Sequence, residues 1–398
     1  MQVVLVLVLV SSVFGKTHNS ILQSFTFKPI EKYVKDKGYP IEKHELETED
    51  GYRLTYHRIP HGRQGPGLGH GHPILLAHGI LQSSALYLAM DDGLAYLLAD
   101  AGFDVWLMNA RGNTYSKEHT TLNPSSKEFW DFSFHEMGEK DLSIAIVHIL
   151  SVTQRQTLSY VGFSMGTTMF WVLADSYGKE YMDRIDTMVA IAPIARPSGM
   201  SILQKPAIYS ALTTALLTYN TLHLYEVRSY NKAEGLFLRA LCTNDLTTKA
   251  CGKMLSGLVG LFPDSIHRED TYVATQYMPA GTSIKNIVHF LQIGEKARFQ
   301  QFDYGDEENL LHYKKLLPPA YDLRKVTCPV FLITSDVDEF SVKEDVEWLA
   351  KELPKTPKML FHEEVKEFQH LDYFYHENVK QILYKPLVQF LVDRINKT

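Results

Sequence analysis

Apolar positions along this 398-residue chain fall into two rhythms, and the places where one gives way to the other outline the fold. From Pro73 onward, short unbroken apolar runs alternate with longer stretches of helical period. Pro73–Ala77, Asp104–Asn109, Thr157–Phe163 and Thr187–Ile194 read as buried strands. Ala85–Ala101, closed by Gly102, and Asp141–Leu150 read as the helices between them, with a third from Thr168 to Ala174. Strand alternating with helix implies right-handed crossovers and a mainly parallel sheet. Ahead of this run, Lys28–Tyr39 predicts a short helix ended by Gly38. Glu42–Thr48 and Tyr52–Ile59 alternate around Glu49-Asp50-Gly51, which predicts a hairpin.

From Arg196 to about Ala320 the rhythm is lost. Ala211–Leu224 and Cys242–Phe262 are long apolar helical stretches, and Tyr272–Tyr313 is aromatic-rich with mixed charge. This predicts a helical cap inserted into the sheet domain, over residues 196–320. The first rhythm returns at Pro329–Thr334, with a helix over Asp345–Leu353, a last strand over Lys358–His362, a loop through His370 and a closing helix over Val379–Ile395. The organisation expected is therefore an N-terminal region (16–72), a sheet domain in two parts (73–195 and 321–398) and the cap between them.

Composition narrows the field. Hydrophobic residues at 45% and charged residues at 22% support a large core. A net charge of −6 gives no electrostatic case for nucleic acid. Met1–Gly15 carries the Val/Leu run Val3–Val10, too short to span a bilayer. It predicts a secretory signal peptide cut near Gly15–Lys16. With no later run long enough for an integral membrane segment, the product is expected outside the cell, or in a lumenal compartment such as the lysosome. Asn396-Lys397-Thr398 is the one N-x-S/T sequon. His61, His70 and His72 sit in a glycine-rich stretch that favours a solvated loop over a metal site, and no metal is expected. Three cysteines in a secreted chain allow one bridge. Cys242 and Cys251, close together in the cap, are the expected pair, with Cys328 left as a core thiol.

The chemistry centres on Gly162-Phe163-Ser164-Met165-Gly166, which fits G-x-S-x-G between a predicted strand and a predicted helix. That context makes a nucleophile elbow: a sharp turn that holds the serine hydroxyl at the tip of a sheet. A serine needs a base, and the base an orienting carboxylate. Asp336 and Asp338 both follow the strand at Pro329–Thr334. Asp338, further into the loop, is preferred because it can reach across. His370 lies on the loop after the last strand, whereas His362 falls within that strand and His376 at the start of the closing helix. The oxyanion of a tetrahedral intermediate needs two donors, expected from the Met165 N–H and the Ile80 N–H. No metal or organic cofactor is required.

The chain resembles the acid lipases, the gastric and lysosomal enzymes and their insect relatives. The similarity rests on Leu76-Ala77-His78-Gly79-Ile80, Asn109-Ala110-Arg111-Gly112-Asn113-Thr114, Phe129-Trp130-Asp131-Phe132-Ser133, the elbow through Thr168, Pro279-Ala280-Gly281-Thr282-Ser283 and His370-Leu371-Asp372. It implies the α/β-hydrolase fold, a lid-bearing cap, and hydrolysis of neutral lipid esters at a lipid–water interface. By position it also implies Ser164 as nucleophile, Asp338 as acid, His370 as base, and Ile80 and Met165 as oxyanion donors. Two departures stand out: Phe163 and Met165 flank the serine where the family usually has His and Gln, and Ser335-Asp336 replaces the usual Gly-Gly. Other ester hydrolases on this fold, such as a sterol esterase or a short-chain carboxylesterase, and a non-catalytic lipid-binding relative are the rival readings.

Overall fold

A computed structural model describes residues 29–66, 71–199, 225–227, 277–354 and 359–397, with the backbone alone described for 359–364. Residues 1–15, where a signal peptide is expected, most of the stretch 196–276, and Cys242 and Cys251 lie outside the described residues.

The core is a nine-stranded sheet in the order β1-β2-β4-β3-β6-β7-β10-β11, with the short β5 also paired to β2. The strands are β1 (Glu42–Glu47), β2 (Tyr52–Ile59), β3 (His72–Ala77), β4 (Phe103–Leu107), β5 (Glu118–His119), β6 (Leu158–Phe163), β7 (Ile185–Ile191), β10 (Val330–Thr334) and β11 (Met359–Glu364). A separate two-stranded ribbon pairs β8 (Glu226–Val227) with β9 (Thr282–Ser283). The hairpin β1–β2 and the β2–β4 pair are antiparallel; every pair from β4 through β3, β6, β7 and β10 to β11 is parallel. No strand between β7 and β10 joins this sheet among the described residues.

Both faces of the parallel strands are buried, which is why they read as unbroken apolar runs. Successive side chains still alternate between two cores. Leu75 and Ala77 of β3, with Leu158 and Tyr160 of β6, enter one; Ile74 and Leu76, with Val161 and Phe163, enter the other. Of the helices labelled here, α1 (Ile30–Asp36) and α2 (Leu94–Asp100) pack in the second core, while α3 (Leu142–Thr153) and α4 (Met165–Tyr177) pack in the first. The first core also takes Ile293 and Phe299, from and just after α5 (Ile284–Glu295). That part of the expected cap segment therefore shares a core with the sheet. Then follow α6 (Asp306–Tyr313), α7 (Lys343–Glu352) and the closing α8 (Lys385–Ile395), which contributes Leu387 and Leu391 to the second core.

One expected helix is broken. Residues 85–101 form a single turn at Ala85–Leu88 and then α2, separated by a bend at Ala89–Gly93. Gly93 closes a turn onto the Met90 carbonyl, and a Cβ on it would meet the Tyr87 carbonyl oxygen at 2.6 Å. Asp91 in the bend accepts from the Tyr33 hydroxyl and the Lys37 ammonium, so tertiary bonds to α1 outweigh the helical propensity of the Ala/Leu run.

Arg111 is a buried strut beneath the sheet's carboxyl edge. Its Nε donates to Asp141 at 2.8 Å and its Nη1 to Asp50 at 2.7 Å, with the Tyr52 ring 4.1 Å from the guanidinium carbon. Burial pushes the Asp50 carboxyl up, but the Arg111 hydrogen bond and charge outweigh it and hold the group at about 2. Arg111→Gln strands the carboxylate of Asp141 in the core. It should cost about 3–5 kcal/mol of stability, the usual cost of breaking a buried ion pair. Urea unfolding of the two proteins measures it; a loss below about 1 kcal/mol would show that Asp141 has another counter-charge.

Candidate active site

Residues from three separate parts of the chain meet at the carboxyl ends of β3, β6 and β10, the edge where open α/β sheets bind ligands. Ser164 directly follows β6 and stands at the N-cap position of α4. Its backbone sits at φ 51°, ψ −117°, a region that costs a non-glycine residue energy. The surrounding packing holds it there. A Cβ on Gly166 would lie 2.4 Å from the Ala77 carbonyl oxygen at the end of β3, and a Cβ on Gly162 would lie 2.8 Å from the Gly166 carbonyl carbon. The two glycines of the motif are therefore required by close backbone approach, and the serine is pressed into the space between them. The Tyr160 hydroxyl fastens the turn by donating to the Gly166 carbonyl at 2.7 Å.

His370 stands opposite, on the loop after β11. Its Nε2 is 2.8 Å from Ser164 Oγ, and its Nδ1 is 2.9 Å from Asp338 Oδ2 and 3.1 Å from Oδ1. The three side chains are buried. An ionised carboxylate only accepts, so the proton on His370 belongs on Nδ1, and Nε2 is left as the acceptor for the serine hydroxyl. Asp338 is itself fixed: its Oδ1 accepts from the N–H groups of Phe340 at 2.8 Å and Ser341 at 3.0 Å. Asp336, the other carboxylate of this loop, is exposed. Its Oδ1 accepts from the Glu367 N–H at 3.0 Å. His362 lies within β11, and His376 follows the short helix Asp372–Tyr375.

Two aromatic rings hold the imidazole from its sides. Phe163 and Phe340 each lie 4.9 Å from it between ring centroids, tilted by 36° and 32°. Phe340 and Ser341 were not identified from sequence. The available signal was a loop aspartate followed two and three residues later by free backbone donors, a common side-chain turn.

The loop after β3 completes the rim. Gly79 packs against Phe163, where an added Cβ would sit 3.1 Å from the ring, and its N–H donates to Gln82 Oε1 at 2.9 Å. Ile80 follows, half-buried against the first core, and Leu81 adopts φ 60°. The Leu81 carbonyl accepts from the Ala280 N–H at 2.7 Å, and the Ala280 carbonyl in turn accepts from the Thr114 N–H at 2.8 Å, so the segment leading to β9 straps this loop in place. Met165 is the first residue of α4, where helix geometry leaves the N–H without an intrahelical acceptor. Its thioether receives an N–H from Asn286 on α5 at 3.2 Å. Gln82 and Asn286 are the other rim residues that sequence reasoning missed, because their partners are distant or belong to the backbone.

Two buried histidines near the site are held neutral by burial. His78 Nδ1 bonds the Gly79 carbonyl at 2.7 Å, its Nε2 accepts from the Ala110 N–H at 3.1 Å, and burial lowers its pKa to about 4. His289 on α5 lies between Ser133 Oγ and the Gln300 carbonyl, and burial lowers it to about 3. His72 pairs with Asp186 at 2.7 Å. Among the described residues no cluster of His, Cys, Asp or Glu could hold a metal ion. Cys328 is buried with its sulfur 3.8 Å from Met182 Sδ.

Comparison with known proteins places this arrangement in a family. Residues 72–377 match the alpha/beta hydrolase fold family, and residues 30–91 match the partial alpha/beta-hydrolase lipase region. Lipase 1 of Drosophila melanogaster is 37% identical over 91% of this chain and 79% of its own length. Gastric triacylglycerol lipase of Bos taurus is 34% identical over 89% of each chain. The chain belongs to the α/β-hydrolase lipases, the family of the gastric and lysosomal acid lipases. Lysosomal acid lipase/cholesteryl ester hydrolase of Macaca fascicularis is another member, 33% identical over 89% of this chain and 88% of its own. Among solved structures, a soluble variant of monoglyceride lipase from Saccharomyces cerevisiae shares the fold. It has a TM-score of 0.56 at 16% identity, over 89% of this chain and 95% of the other.

The two neutral histidines of this lipase-family chain contribute to its response to acid. An unfolded histidine binds a proton near pH 6.5, which the folded chain refuses until about pH 4 at His78 and about pH 3 at His289. Stability should therefore fall as acid is added below pH 6.5, by on the order of 3 kcal/mol for His78 and about 5 kcal/mol for His289 once each folded pKa is passed. The Asp50 contribution, with its carboxyl raised by burial but lowered overall from 3.8 to about 2 by Arg111, is lost only below pH 3.8 and so falls outside a comparison of pH 7 with pH 4. Urea midpoints at pH 7 and pH 4 should differ, and His289→Gln should reduce the difference. An equal drop in the variant would contradict the assignment.

Proposed function

We propose that this chain is a serine-dependent lipase that hydrolyses the carboxylic ester bonds of acylglycerols through an acyl-enzyme. The observation that carries the reading is the unbroken line from Ser164 Oγ to His370 Nε2, and from His370 Nδ1 to Asp338, at hydrogen-bond distances. In this scheme Ser164 Oγ attacks the ester carbonyl carbon while His370 Nε2 takes its proton. Asp338 keeps the imidazole in the correct tautomer and stabilises the imidazolium that forms. The oxyanion is met by the N–H groups of Met165 and Ile80. His370 then returns the proton to the departing alcohol, and a water activated by the same nitrogen releases the fatty acid. The chain's own side chains supply every proton transfer.

In this reading residues 196–320 form the cap, and its end at Ile293 and Phe299 packs into the first core. A secreted or lysosomal-lumen protein agrees with the apolar run at Val3–Val10, and no helix among the described residues is long and apolar enough to cross a membrane.

Ser164→Ala should abolish turnover on emulsified triolein, by roughly 10⁶-fold, while the fold survives. A variant retaining a tenth of the rate would refute the nucleophile. Asp338→Asn should lose about 10⁴-fold, because the amide imposes the wrong histidine tautomer. Asp336→Asn, altering an exposed loop contact, should keep most of the activity. The reverse order would move the acid to Asp336.

A further inference from the structure

Seven large hydrophobic side chains are conspicuously exposed among the described residues, and four of them fall within eight positions: Leu310 at 46%, Leu311 at 65%, Leu316 at 54% and Leu317 at 64%. The other three, Val147, Val152 and Ile382, belong to α3 and the start of the closing helical segment, and singly exposed apolar residues need no explanation. The leucine group does need one. Leu310 and Leu311 lie in the last turns of α6, Lys314 reverses the chain at φ 58°, and Leu316-Leu317 leads out toward Pro318 and Pro319. The result is a knuckle with two pairs of leucines on either side of a turn that carries the exposed Lys314 and Lys315.

The knuckle is held in shape from beneath. Asn309 is buried, and its Nδ2 donates to the Leu316 carbonyl and to Asp303 Oδ1, each at 2.8 Å, while its Oδ1 accepts from the Tyr304 N–H at 3.0 Å. The Tyr313 hydroxyl donates to the Phe302 carbonyl at 2.8 Å, and the His312 ring stacks on Tyr304 with centroids 4.3 Å apart. Beyond the turn, the Gln301 N–H reaches the Pro319 carbonyl at 2.9 Å. The backbone that displays the leucines is thus ordered before anything binds, so insertion of the leucines carries little further conformational cost. Charge is graded along the same element. Asp306, Glu307 and Glu308 occupy the first turn of α6, and the two lysines occupy the tip; the Lys314 ammonium also reaches the Leu311 carbonyl at 3.0 Å.

We propose that the Leu310–Leu317 knuckle is an interfacial anchor: its leucines enter the acyl region of a lipid surface, and Lys314 and Lys315 meet anionic headgroups there. Apolar side chains beside lysines at the tip of an ordered projection match such a surface in both charge and polarity. The acidic first turn of α6, repelled by the same headgroups, sets the direction in which the knuckle points. The inference rests on the lipase reading for its purpose, since an esterase of dissolved substrates has no use for such an anchor.

The test is sedimentation of the full-length secreted protein with vesicles of phosphatidylcholine alone and of phosphatidylcholine mixed with phosphatidylserine. Leu311→Asp with Leu317→Asp should reduce partitioning to both vesicles at least tenfold, since each fully buried leucine is worth more than that factor. Lys314→Glu with Lys315→Glu should reduce binding to the mixed vesicles alone, by about fivefold or more for each lysine, with loss of salt sensitivity. Thermal unfolding of each variant checks that the fold is intact. Unchanged partitioning of the leucine variant overturns the proposal. So does a leucine variant that unfolds at a clearly lower temperature, which would mean that another segment of this chain covers the patch. A wild-type dimer that the leucine substitutions convert to monomer, without effect on vesicles, would assign the patch to a second copy. The wild-type rate on a dissolved short-chain ester, measured separately, tests the catalytic reading. A protein that cleaves no ester yet loses vesicle binding with the leucines refutes the lipase and leaves the anchor standing.

Discussion

The carbonyl of Ala77 lies against Gly166 with no room between them for a side chain. That contact joins the end of β3 to the start of α4, and most of the site follows from it. It forces the chain to turn sharply at Ser164, into a backbone conformation that a serine adopts only under constraint. It aims the hydroxyl beyond the carboxyl edge of the sheet, where the loops after β10 and β11 supply Asp338 and His370. It also brings the loop after β3 against Phe163, where a Cβ on Gly79 would lie 3.1 Å from the ring. The strain at one residue is offset by the burial of the strands on either side, whose alternating side chains fill two cores.

The departures from the usual family pattern gain a physical sense beside this frame. Phe163 lies against one side of His370 and Phe340 against another, while Phe374 packs edge-on against Phe163 at 4.8 Å. The imidazole is confined by hydrocarbon and is bonded only along the line from serine to aspartate. Met165 gives α4 an apolar first side chain, engaged by Asn286 from α5. Both substitutions make the wall of the site more apolar without altering its hydrogen-bonded axis.

How much could be read in the sequence follows from the range of the forces involved. The parallel strands were legible because burial on both faces leaves unbroken apolar runs, as in Pro73–Ala77. The elbow was legible because close backbone approach leaves glycine no substitute at 162 and 166. The preference for Asp338 over Asp336 rested on reach, and the structure brings Asp338 to His370 while Asp336 caps a neighbouring loop. The break at Ala89–Gly93 was not legible, since the ties from Asp91 to Tyr33 and Lys37 join residues more than fifty positions apart. Neither was the packing of Ile293 and Phe299 into the first core, which ties this part of the expected cap segment to the sheet. Gln82 and Asn286 at the rim, and the leucine knuckle, depend on which faces the fold leaves open, and no window of sequence contains that.

The central claim is that one serine of this chain is activated by its surroundings. Incubation with a fluorophosphonate, followed by peptide mass spectrometry, tests it without any assumption about the preferred lipid. The account predicts a single adduct per chain, on the peptide that contains Ser164, and its disappearance when the protein is first unfolded. An unlabelled native protein, or an adduct on another serine such as the buried Ser84, would contradict it.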